Sequence, residues 1–332
     1  MPDMDHAREI SARPHAWRLK EPFAIARGVR SEAQVVIVEV RACGCVGLGE
    51  AGGVAYLGES QESMLRQIAE ARPALERGCS REELLQHLPA GGARHALDAA
   101  LWDLEAKATG VPVWKRAGLD RCGPVDSAIT IGIRSLEAYE AAARRHASHA
   151  WLKVKVARGS PIPAIAAVRR GAPHARLILD ANQSWSVDEL QAYVPELQNY
   201  GVDLIEQPVA AGQDDALQGY RSAIPLCADE SLSTAADLPG LIGRYQFVNI
   251  KLDKVGGLTA GLELARLAQG MGFRLMVGCM LGGSVSVAPG FVLAQLCEVC
   301  DLDGPWLQAE DWPAGFAYRE GTMLPPSRAL WG

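Results

Sequence analysis

The sequence predicts an α/β protein in which a small α+β domain precedes a closed barrel of parallel strands. Three observations predict this fold. Strands precede a block of helices over roughly the first 120 residues, short apolar runs then alternate with helical stretches about eight times, and lysines or carboxylates follow several of these runs directly. Repeated β-then-α units favour a parallel sheet, and a barrel of such units builds its site at the carboxyl ends of its strands. An open, doubly wound sheet is the alternative architecture.

The composition limits the class of protein. The chain has 332 residues, 48% of them hydrophobic and 22% charged, which suits a globular protein of one or two domains. A net charge of −6 without any Lys/Arg run argues against nucleic acid or a membrane surface as a partner. The first residues lack the apolar segment of a signal peptide, and no apolar stretch approaches the length of about 20 residues that a membrane span needs. We therefore expect a cytoplasmic protein.

Eight cysteines in a chain of this length are typical of reduced thiols. Cys297 and Cys300 have the spacing of a redox or zinc pair, but no second pair or histidine cluster completes such a site. We expect these two residues to be structural thiols.

The α+β domain is predicted over residues 1–124. Antiparallel strands are expected from about residue 16 to residue 48, because Ala33–Val40 is rich in β-branched side chains and glycines follow it. The segment Phe23–Arg30 mixes apolar and cationic residues and is expected to form a loop between the first two strands. The predicted helices run over 62–76, from a capping box at 80–83, and over 93–109 before a terminating glycine at 110.

A dinucleotide-binding fingerprint occurs in the same region. Gly47–Gly52 matches the pattern G-x-G-x-x-G. That motif requires a glycine turn that opens directly into a helix, and the residues that follow, 53–58, have loop character. The sequence therefore argues against a dinucleotide site here.

The barrel is predicted over residues 125–304, and the tail 305–332 is predicted to pack back on the first domain. About 180 residues make a compact barrel. The apolar runs taken as strands are 128–133, 151–156, 177–179, 202–205, 225–228, 247–250, 273–277 and a short one near Asp301.

One of these predicted strands, Trp151–Val156, carries two lysines. Side chains alternate between the faces of a strand, so Lys153 and Lys155 point the same way. Two ammonium groups on one side of an apolar strand repel each other and lose hydration. This arrangement predicts anionic groups opposite them.

Three carboxylates meet this requirement. Asp180, Glu206 and Asp229 each follow an apolar run directly, so three neighbouring strands bring three carboxylates to one rim. Each acid alone could equally be a helix cap. Three clustered carboxylates repel each other unless a hard cation lies between them, and Mg²⁺ accepts oxygen ligands while keeping positions for water or substrate. Together with the lysines, they predict a Mg²⁺ site.

A third lysine, Lys251, follows the next apolar run after Asp229. In a closed barrel it faces the lysine pair across the metal. This arrangement suits removal of a proton α to a carboxylate: the metal stabilises the enediolate, one lysine removes the proton, and the opposite lysine returns it on the other face. A basic lysine must be neutral, and we expect burial beside a cation to lower its pKa.

The motifs around these residues resemble the muconate lactonizing subgroup of the enolase superfamily. They are Lys153-Val154-Lys155, Asp180-Ala181-Asn182, Glu206-Gln207-Pro208, Asp229-Glu230-Ser231 and Lys251-Leu252-Asp253-Lys254-Val255-Gly256-Gly257. The resemblance implies a modified TIM barrel, (β/α)7β, with an α+β capping domain. It also implies Mg²⁺ on Asp180, Glu206 and Asp229, and Lys155 and Lys251 as the acid/base pair. Lys153 would polarise the substrate carboxylate, and Asn182 and Glu230 would orient the metal ligands.

Two further motifs concern the substrate. Asp301-Leu302-Asp303 is similar to the Asp-x-Asp motif with which dipeptide epimerases hold a substrate's α-ammonium, and its two acids are expected to share a face of the last strand. Residues 25–33 are similar to the capping loop of epimerases that act on L-Ala-D/L-Glu. An arginine there, Arg30 rather than Arg27, would pair with an acidic side chain, although both could be solvated loop residues. Thr130 is a further candidate for substrate binding.

We therefore expect an isomerase, a Mg²⁺-dependent dipeptide epimerase acting on L-Ala-Glu in murein-peptide recycling, and a homo-oligomer. The alternatives with the same proton chemistry are a cycloisomerase, an o-succinylbenzoate synthase and an N-acylamino acid racemase, whose substrates carry no free ammonium for Asp301 and Asp303. A binding module without catalysis is disfavoured because every proton-transfer residue is present. Many members of the family that the chain resembles carry an acid or a larger residue near Gly282, so Gly282 and Gly283 leave the substrate details open.

Overall fold

The computed structural model describes residues 8–25 and 28–332. Its first sheet is antiparallel with the order β1-β2-β3. The bounds are Glu9–Ile25 for β1, Gly28–Ala42 for β2 and Cys45–Ala51 for β3. The four helices that follow are α1 (Gln61–Glu76), α2 (Arg81–His87), α3 (Gly92–Thr109) and α4 (Val113–Arg116).

The predicted helix signals in this domain are confirmed. Ser80 accepts a hydrogen bond from the Glu83 backbone while the Glu83 carboxylate accepts one from the Ser80 backbone, which is the expected capping box. Helix α3 ends at Gly110, whose φ of 73° is in the left-handed region that glycine tolerates.

The loop predicted over Phe23–Arg30 is wrong for the described residues of this segment, 23–25 and 28–30. β1 and β2 continue as a paired hairpin, with Phe23 opposite Arg30 and Ile25 opposite Gly28. The register shifts between Arg18 and Phe23, so the outer part of the hairpin is offset from the inner part. The mixture of apolar and cationic side chains belongs to a two-stranded extension with few neighbours, which resembles a loop in composition.

The glycine motif at 47–52 lies on strand β3 except for its last residue, and it does not open directly into a helix, as expected. Its first two glycines allow helix α3 to lie directly on the strand. A Cβ at Gly47 would lie 2.0 Å from the Ala100 carbonyl oxygen, and one at Gly49 would lie 1.8 Å from that of Ala96. These glycines therefore serve close strand–helix packing.

A parallel barrel follows, after a short strand β4 (Val125–Asp126) that belongs to a separate small sheet. The eight barrel strands pair in chain order. They are β5 (Ile129–Ile131), β6 (Trp151–Lys155), β7 (Arg176–Asp180), β8 (Val202–Glu206), β9 (Leu226–Ala228), β10 (Phe247–Lys251), β11 (Arg274–Gly278) and β12 (Val299–Asp301). A parallel bridge between Ser127 and Cys300 joins the two ends of the sheet. The prediction of a closed barrel rather than an open sheet is confirmed.

The barrel helices are α5 (Leu136–Arg145), α6 (Ile162–Gly171), α7 (Val187–Asn199), α8 (Leu238–Leu241), α9 (Leu252–Val255), α10 (Leu258–Gly270), α11 (Ser284–Ala294) and α12 (Gly304–Leu307). The expected alternation of strand and full helix fails between β8 and β10. Only a 3₁₀ turn over Asp214–Leu217 joins β8 to β9, and a 3₁₀ turn with the four-residue α8 joins β9 to β10. Glycines and prolines at 208, 212, 219 and 225 interrupt the first connection.

The C-terminal segment contacts both parts of the molecule. Strand β13 (Tyr318–Arg319) pairs with β14 (Thr322–Met323), and β14 pairs with β4. Further on, the Trp331 indole donates to the carbonyl oxygens of Leu48 and Ala99 at 3.0 and 3.2 Å. The domain limits proposed from the sequence stay predictions.

The barrel interior is layered. One layer of eight buried apolar residues fills its lower part: Ala128, Trp151, Ile178, Leu204, Cys227, Phe247, Met276 and Val299. Because strand side chains alternate, the next inward layer lies two residues further along each strand. It consists of Thr130, Lys153, Asp180, Glu206, Asp229, Asn249, Gly278 and Asp301. The apolar core therefore ends directly beneath a polar layer.

Candidate active site

Lys153 lies at the centre of the polar layer. Its side chain is 2% exposed, and its Nζ lies 2.7 Å from both Asp301 Oδ2 and Glu206 Oε2 and 3.3 Å from Asp180 Oδ2. Burial lowers the pKa of this amine, but the surrounding carboxylates outweigh burial and raise it well above its usual value. Lys153 is therefore a fixed cation.

Lys155 and Lys251 lie at the two ends of a row of three carboxylates. Strand register places Lys155 beside Asp180 and Asp180 beside Glu206, and Asp229 follows strand β9 next to them. Lys155 Nζ is 2.5 Å from Asp180 Oδ2, and Lys251 Nζ is 2.7 Å from Asp229 Oδ2. The strands that carry the two amines are separated by the three strands that carry or precede the acids.

The prediction of a lysine pKa lowered beside a bound cation stays a prediction, and in this structure Lys251 has Asp229 as its partner. Burial lowers the pKa of Lys251, but the ion pair with Asp229 is stronger and raises that pKa above its usual value. The same pair holds the pKa of Asp229 well below its ordinary range despite burial. The amine is therefore held as an ammonium as long as Asp229 is its partner.

The pKa of Glu206, the middle carboxylate of the row, shifts in the opposite direction from that of Asp229. Burial, together with repulsion from Asp180, raises the pKa of Glu206 to about 7. Its Oε1 accepts a 3.0 Å bond from the Asn249 amide, whereas Oε2 accepts no well-oriented hydrogen bond although Lys153 Nζ is close to it. A fully buried carboxylate oxygen that lacks a hydrogen bond is an observation that points to a further ligand, such as a cation.

The donor set fits the predicted Mg²⁺. Asp180, Glu206 and Asp229 are 0%, 0% and 2% exposed, carry only oxygen donors, and interact electrostatically with each other. Over the described ranges no three Asp, Glu, His or Cys side chains are already grouped as a metal-binding shell. Each of the three acids instead has an ammonium group within 2.7 Å. The carboxylate oxygens of these three acids would bind a hard divalent cation in place of an ammonium group.

Several residues that orient the acids were not predicted from the sequence. Lys254, whose side chain is fully buried, donates to Asp229 Oδ1 at 2.7 Å, so two lysines share this carboxylate. Asn249 could have been found by strand alternation, since it precedes Lys251 by two residues. Gly278 provides space, because a Cβ there would lie 3.1 Å from Lys251 Cε.

Gln207 ties two of the acids together. It follows Glu206 with a φ of 36°, in the left-handed region that a residue with a side chain rarely adopts. Its buried amide oxygen accepts from the backbone nitrogens of Asp229 and Ser231 at 2.8 and 3.1 Å. Asn182 has a similar φ of 44°, and its backbone nitrogen donates to Asp180 Oδ1 at 2.8 Å. Such strain is typical of functional sites.

A cavity of about 400 Å³ opens over this layer. Most of the residues predicted from the sequence line it: Lys153, Lys155, Lys251, Asp229, Asp301, Asp303, Thr130, Arg30, Asn182 and Glu230. Lys254 is not among the lining residues, which separates it from the other three lysines. Arg27 lies outside the described residues.

The two acids of the Asp-x-Asp motif lie in different elements. Asp301 ends strand β12 and binds Lys153, whereas Asp303 precedes helix α12, so the expected common strand face is wrong. Asp303 Oδ2 accepts from the Thr130 backbone at 2.7 Å. Burial and repulsion from Asp301 raise the pKa of Asp303 to about 7. Both carboxylates still line the cavity, and strand β12 before them is separated by β10 and β11 from β9, which precedes Asp229 and Glu230.

A capped parallel barrel with lysines facing strand-end carboxylates defines the enolase class of fold. Residues 137–329 match the family described as enolase C-terminal domain-like, and residues 7–118 match the mandelate racemase / muconate lactonizing enzyme N-terminal domain. The chain belongs to this family.

Similar proteins are epimerases and racemases. The chain is 43% identical over 310 residues to the L-Ala-D/L-Glu epimerase of Escherichia coli K12, covering 92% of this chain and 97% of that protein. It is 45% identical over 250 residues to an N-acetyl-D-glutamate racemase of a Pseudoalteromonas species, covering 75% and 79%. An enolase family member from Agrobacterium tumefaciens, solved with sodium and L-Ala-L-Glu, superposes with a TM-score of 0.95 at 38% identity, covering 98% and 100%.

Proposed function

We propose that the chain is a Mg²⁺-dependent dipeptide epimerase that interconverts L-Ala-D-Glu and L-Ala-L-Glu by inverting the Cα of the second residue. The observation that carries this proposal is the placement of Lys155 and Lys251 at opposite ends of one carboxylate row beneath one cavity. Two amines on opposite sides of a bound carbon allow removal of a proton from one face and its return to the other.

The residues have distinct proposed roles. Asp180, Glu206 and Asp229 would hold Mg²⁺, which when bound would supply the positive charge that stabilises an enediolate. Lys155 Nζ and Lys251 Nζ would each remove or deliver the Cα proton on its own face. Lys153 Nζ, a fixed cation on three carboxylates, would bind the substrate carboxylate. Asn182 and Glu230 would keep the metal ligands in position.

The remaining proposals concern the ends of the dipeptide. Asp301 and Asp303 would bind the α-ammonium, because a desolvated ammonium needs carboxylate partners and both acids line the cavity. Arg30, which lies on the hairpin above the cavity, would pair with the acidic side chain. Thr130 supports Asp303 through its backbone N–H.

The direct test is incubation of L-Ala-D-Glu with the enzyme and Mg²⁺ in D₂O. We expect L-Ala-L-Glu to form with deuterium at the Glu Cα, and chelation of the metal to stop the reaction. If no deuterium enters that position and no epimer forms, this substrate is excluded.

A second candidate is a racemase of N-acylated glutamate, because the Pseudoalteromonas relative carries that activity in its name. Its substrate keeps the acidic side chain and has no α-ammonium. The variant Asp303→Asn distinguishes the two candidate functions. We expect this variant to raise KM for L-Ala-D-Glu by about tenfold or more, since an ammonium loses a charged partner, whereas a variant with unchanged dipeptide turnover favours the racemase.

The setting is also a proposal. All eight cysteines are free thiols, which supports a reducing cytoplasmic location and, with this substrate, murein-peptide recycling. In residues 8–25 and 28–332 no helix combines the length and apolar character needed to cross a bilayer. Assembly as a homo-oligomer stays a prediction.

A further inference from the structure

One loop of the barrel forms part of the cavity wall and also contacts the first domain. This β11–α11 loop, residues 279–283, contributes Cys279, Met280 and Leu281 to the cavity lining. On its other side it lies against the end of strand β3. A Cβ at Gly52 would be only 2.8 Å from the Leu281 carbonyl oxygen, so the strand end and the loop are in direct backbone contact.

Glu50, on β3, connects this loop to two other segments. Its carboxylate is 0% exposed. Oε1 accepts from the Gly283 backbone nitrogen at 2.5 Å and from the Trp17 indole at 2.9 Å, and Oε2 accepts from the Trp312 indole at 2.5 Å. Three N–H donors from β1, the loop and the C-terminal segment therefore meet on one buried carboxylate.

These bonds also complete the start of helix α11. The first N–H groups of a helix have no partner within the helix, and Gly283, which precedes the helix, has no side chain to supply one. Glu50 accepts from the Gly283 nitrogen, and Asp311 accepts from the Ser284 nitrogen at 2.8 Å. Carboxylates at a helix N-terminus are also favoured by the helix dipole. The loop is thereby fixed at its junction with the helix.

The packing around Gly283 leaves little space for a side chain. A Cβ at this residue would lie 3.0 Å from each of Glu50 Oε2, Trp17 Nε1 and Trp312 Cδ1. The backbone at Gly283 has an extended φ of −77°, which alanine accepts without strain. The glycine is therefore needed for the close approach of Glu50 rather than for its backbone conformation.

We propose that Glu50 is a positioning residue for substrate binding: it holds the β11–α11 loop against the capping domain and so sets the wall that Cys279, Met280 and Leu281 present to the substrate. This inference rests on the proposed function. It assigns a part in recognition to a residue that contacts the cavity only through the loop.

Asp103 provides a matched control. It is likewise a fully buried carboxylate of the capping domain, and it accepts from the backbone nitrogens of Leu48 and Gly332 at 2.8 and 2.6 Å and from Lys107 at 2.6 Å. Its contacts are to strand β3, helix α3 and the C-terminal end of the chain and not to the loop. Loss of either carboxylate disturbs the domain, but only Glu50 is bonded to the cavity wall.

The test compares Glu50→Gln and Asp103→Asn. A glutamine cannot accept from all three donors, since its NH₂ group opposes one of them. We expect Glu50→Gln to raise KM for L-Ala-D-Glu by about tenfold or more while kcat changes by less than about threefold, because a displaced wall misplaces the substrate. Asp103→Asn is expected to leave KM within about twofold. Equal KM values for Glu50→Gln and the wild type, or equal increases in both variants, would overturn the proposal.

Gly283→Ala displaces the loop without changing any charge, and Gly123→Ala, where an added Cβ meets nothing within 4 Å, is its control. Gly283→Ala should reproduce the KM increase, and this arm still decides the matter if Glu50→Gln does not fold.

Amide hydrogen exchange separates this inference from the proposed function. We expect residues 279–284 to exchange about tenfold faster in Glu50→Gln than in the wild type, and unchanged in Asp103→Asn. If the wild type has no epimerase activity but the variants show this exchange pattern, the proposed substrate is excluded and the link between Glu50 and the loop stands. Unchanged exchange together with unchanged KM removes the inference alone.

Discussion

The two ends of the carboxylate row resemble each other in one respect and differ in another. At each end one oxygen faces a cavity lysine: Asp180 Oδ2 binds Lys155, and Asp229 Oδ2 binds Lys251. The other oxygen is held by a fixed donor. For Asp180 that donor is the neutral backbone N–H of Asn182, whereas for Asp229 it is the buried ammonium of Lys254.

The difference shows how one carboxylate can keep its position when its lysine moves. An amine that transfers a proton must be able to leave its ion pair, and the acid must then not be left as an uncompensated buried charge. Lys254 meets this requirement for Asp229, because it binds the far oxygen and does not line the cavity. At the other end Lys153, 3.3 Å from Asp180 Oδ2, supplies the remaining positive charge.

The largest effect is expected at the two cavity lysines. Lys155→Ala and Lys251→Ala should each lower the rate of epimerisation by about 10³-fold or more, because each removes the only proposed proton carrier on its face. We expect each variant to retain Cα deuterium exchange with one epimer only, and the two variants to retain it with opposite epimers, as followed by NMR in D₂O. Lys115→Ala, at an exposed position, is the control. Exchange of the same epimer in both variants would contradict the arrangement.

The next effect concerns stability of the metal-free protein. Asp229→Asn leaves two ammonium groups, those of Lys251 and Lys254, facing a neutral amide, and should cost about 3–5 kcal/mol of unfolding free energy. Asp180→Asn should cost less, because Lys153 keeps Glu206 and Asp301 as partners. Urea unfolding measures the unfolding free energy of both variants. A larger decrease for Asp180→Asn than for Asp229→Asn would contradict the difference described between the two ends of the row.

Lys254 and Lys251 bind the same carboxylate and are expected to differ in catalysis. Lys254→Met should lower kcat by about 10–100-fold and no more, since its amine does not line the cavity and acts only by holding Asp229. Lys251→Met is the matched variant and should lose turnover as Lys251→Ala does. Steady-state kinetics with thermal unfolding as a check on folding decides this, and equal losses in the two methionine variants would assign Lys254 to the chemistry.

The smallest effect is expected at Asn182. Its contact with Asp180 uses the backbone N–H, and its φ of 44° suits glycine better than asparagine. Asn182→Gly should therefore bind Mg²⁺ within about threefold of the wild type by calorimetry and change the unfolding free energy by less than about 1 kcal/mol. A loss of Mg²⁺ affinity of tenfold or more would mean that the side chain itself orients the metal ligands, as the family resemblance implies.

The parts of the site that lie on barrel strands could be predicted because two local rules act there together. An apolar run of strand length ends at the rim, so a charged residue directly after it, such as Asp180 or Glu206, must lie at the carboxyl end of the strand. Strand alternation then brings Lys153 and Lys155 to the same face. Neither rule needs information from distant residues.

The features that were not predicted correctly from the sequence depend on contacts between distant segments or on where the chain turns. The hairpin at Phe23–Arg30 has a composition typical of a loop, and only its cross-strand pairing makes it a strand extension. Asp303 leaves the strand because the chain turns into helix α12 after Asp301. The bond between Glu50 and Gly283 joins residues far apart in sequence, so nothing local to either residue indicates it.

The most direct measurement is a crystal structure with Mg²⁺ and L-Ala-L-Glu bound. We predict that the metal is held by Asp180, Glu206 and Asp229 and that Lys155 Nζ and Lys251 Nζ lie on opposite faces of the glutamate Cα, each within about 3.5 Å. A complex in which both amines approach the same face, or in which either is remote from that carbon, would contradict the two-base inversion.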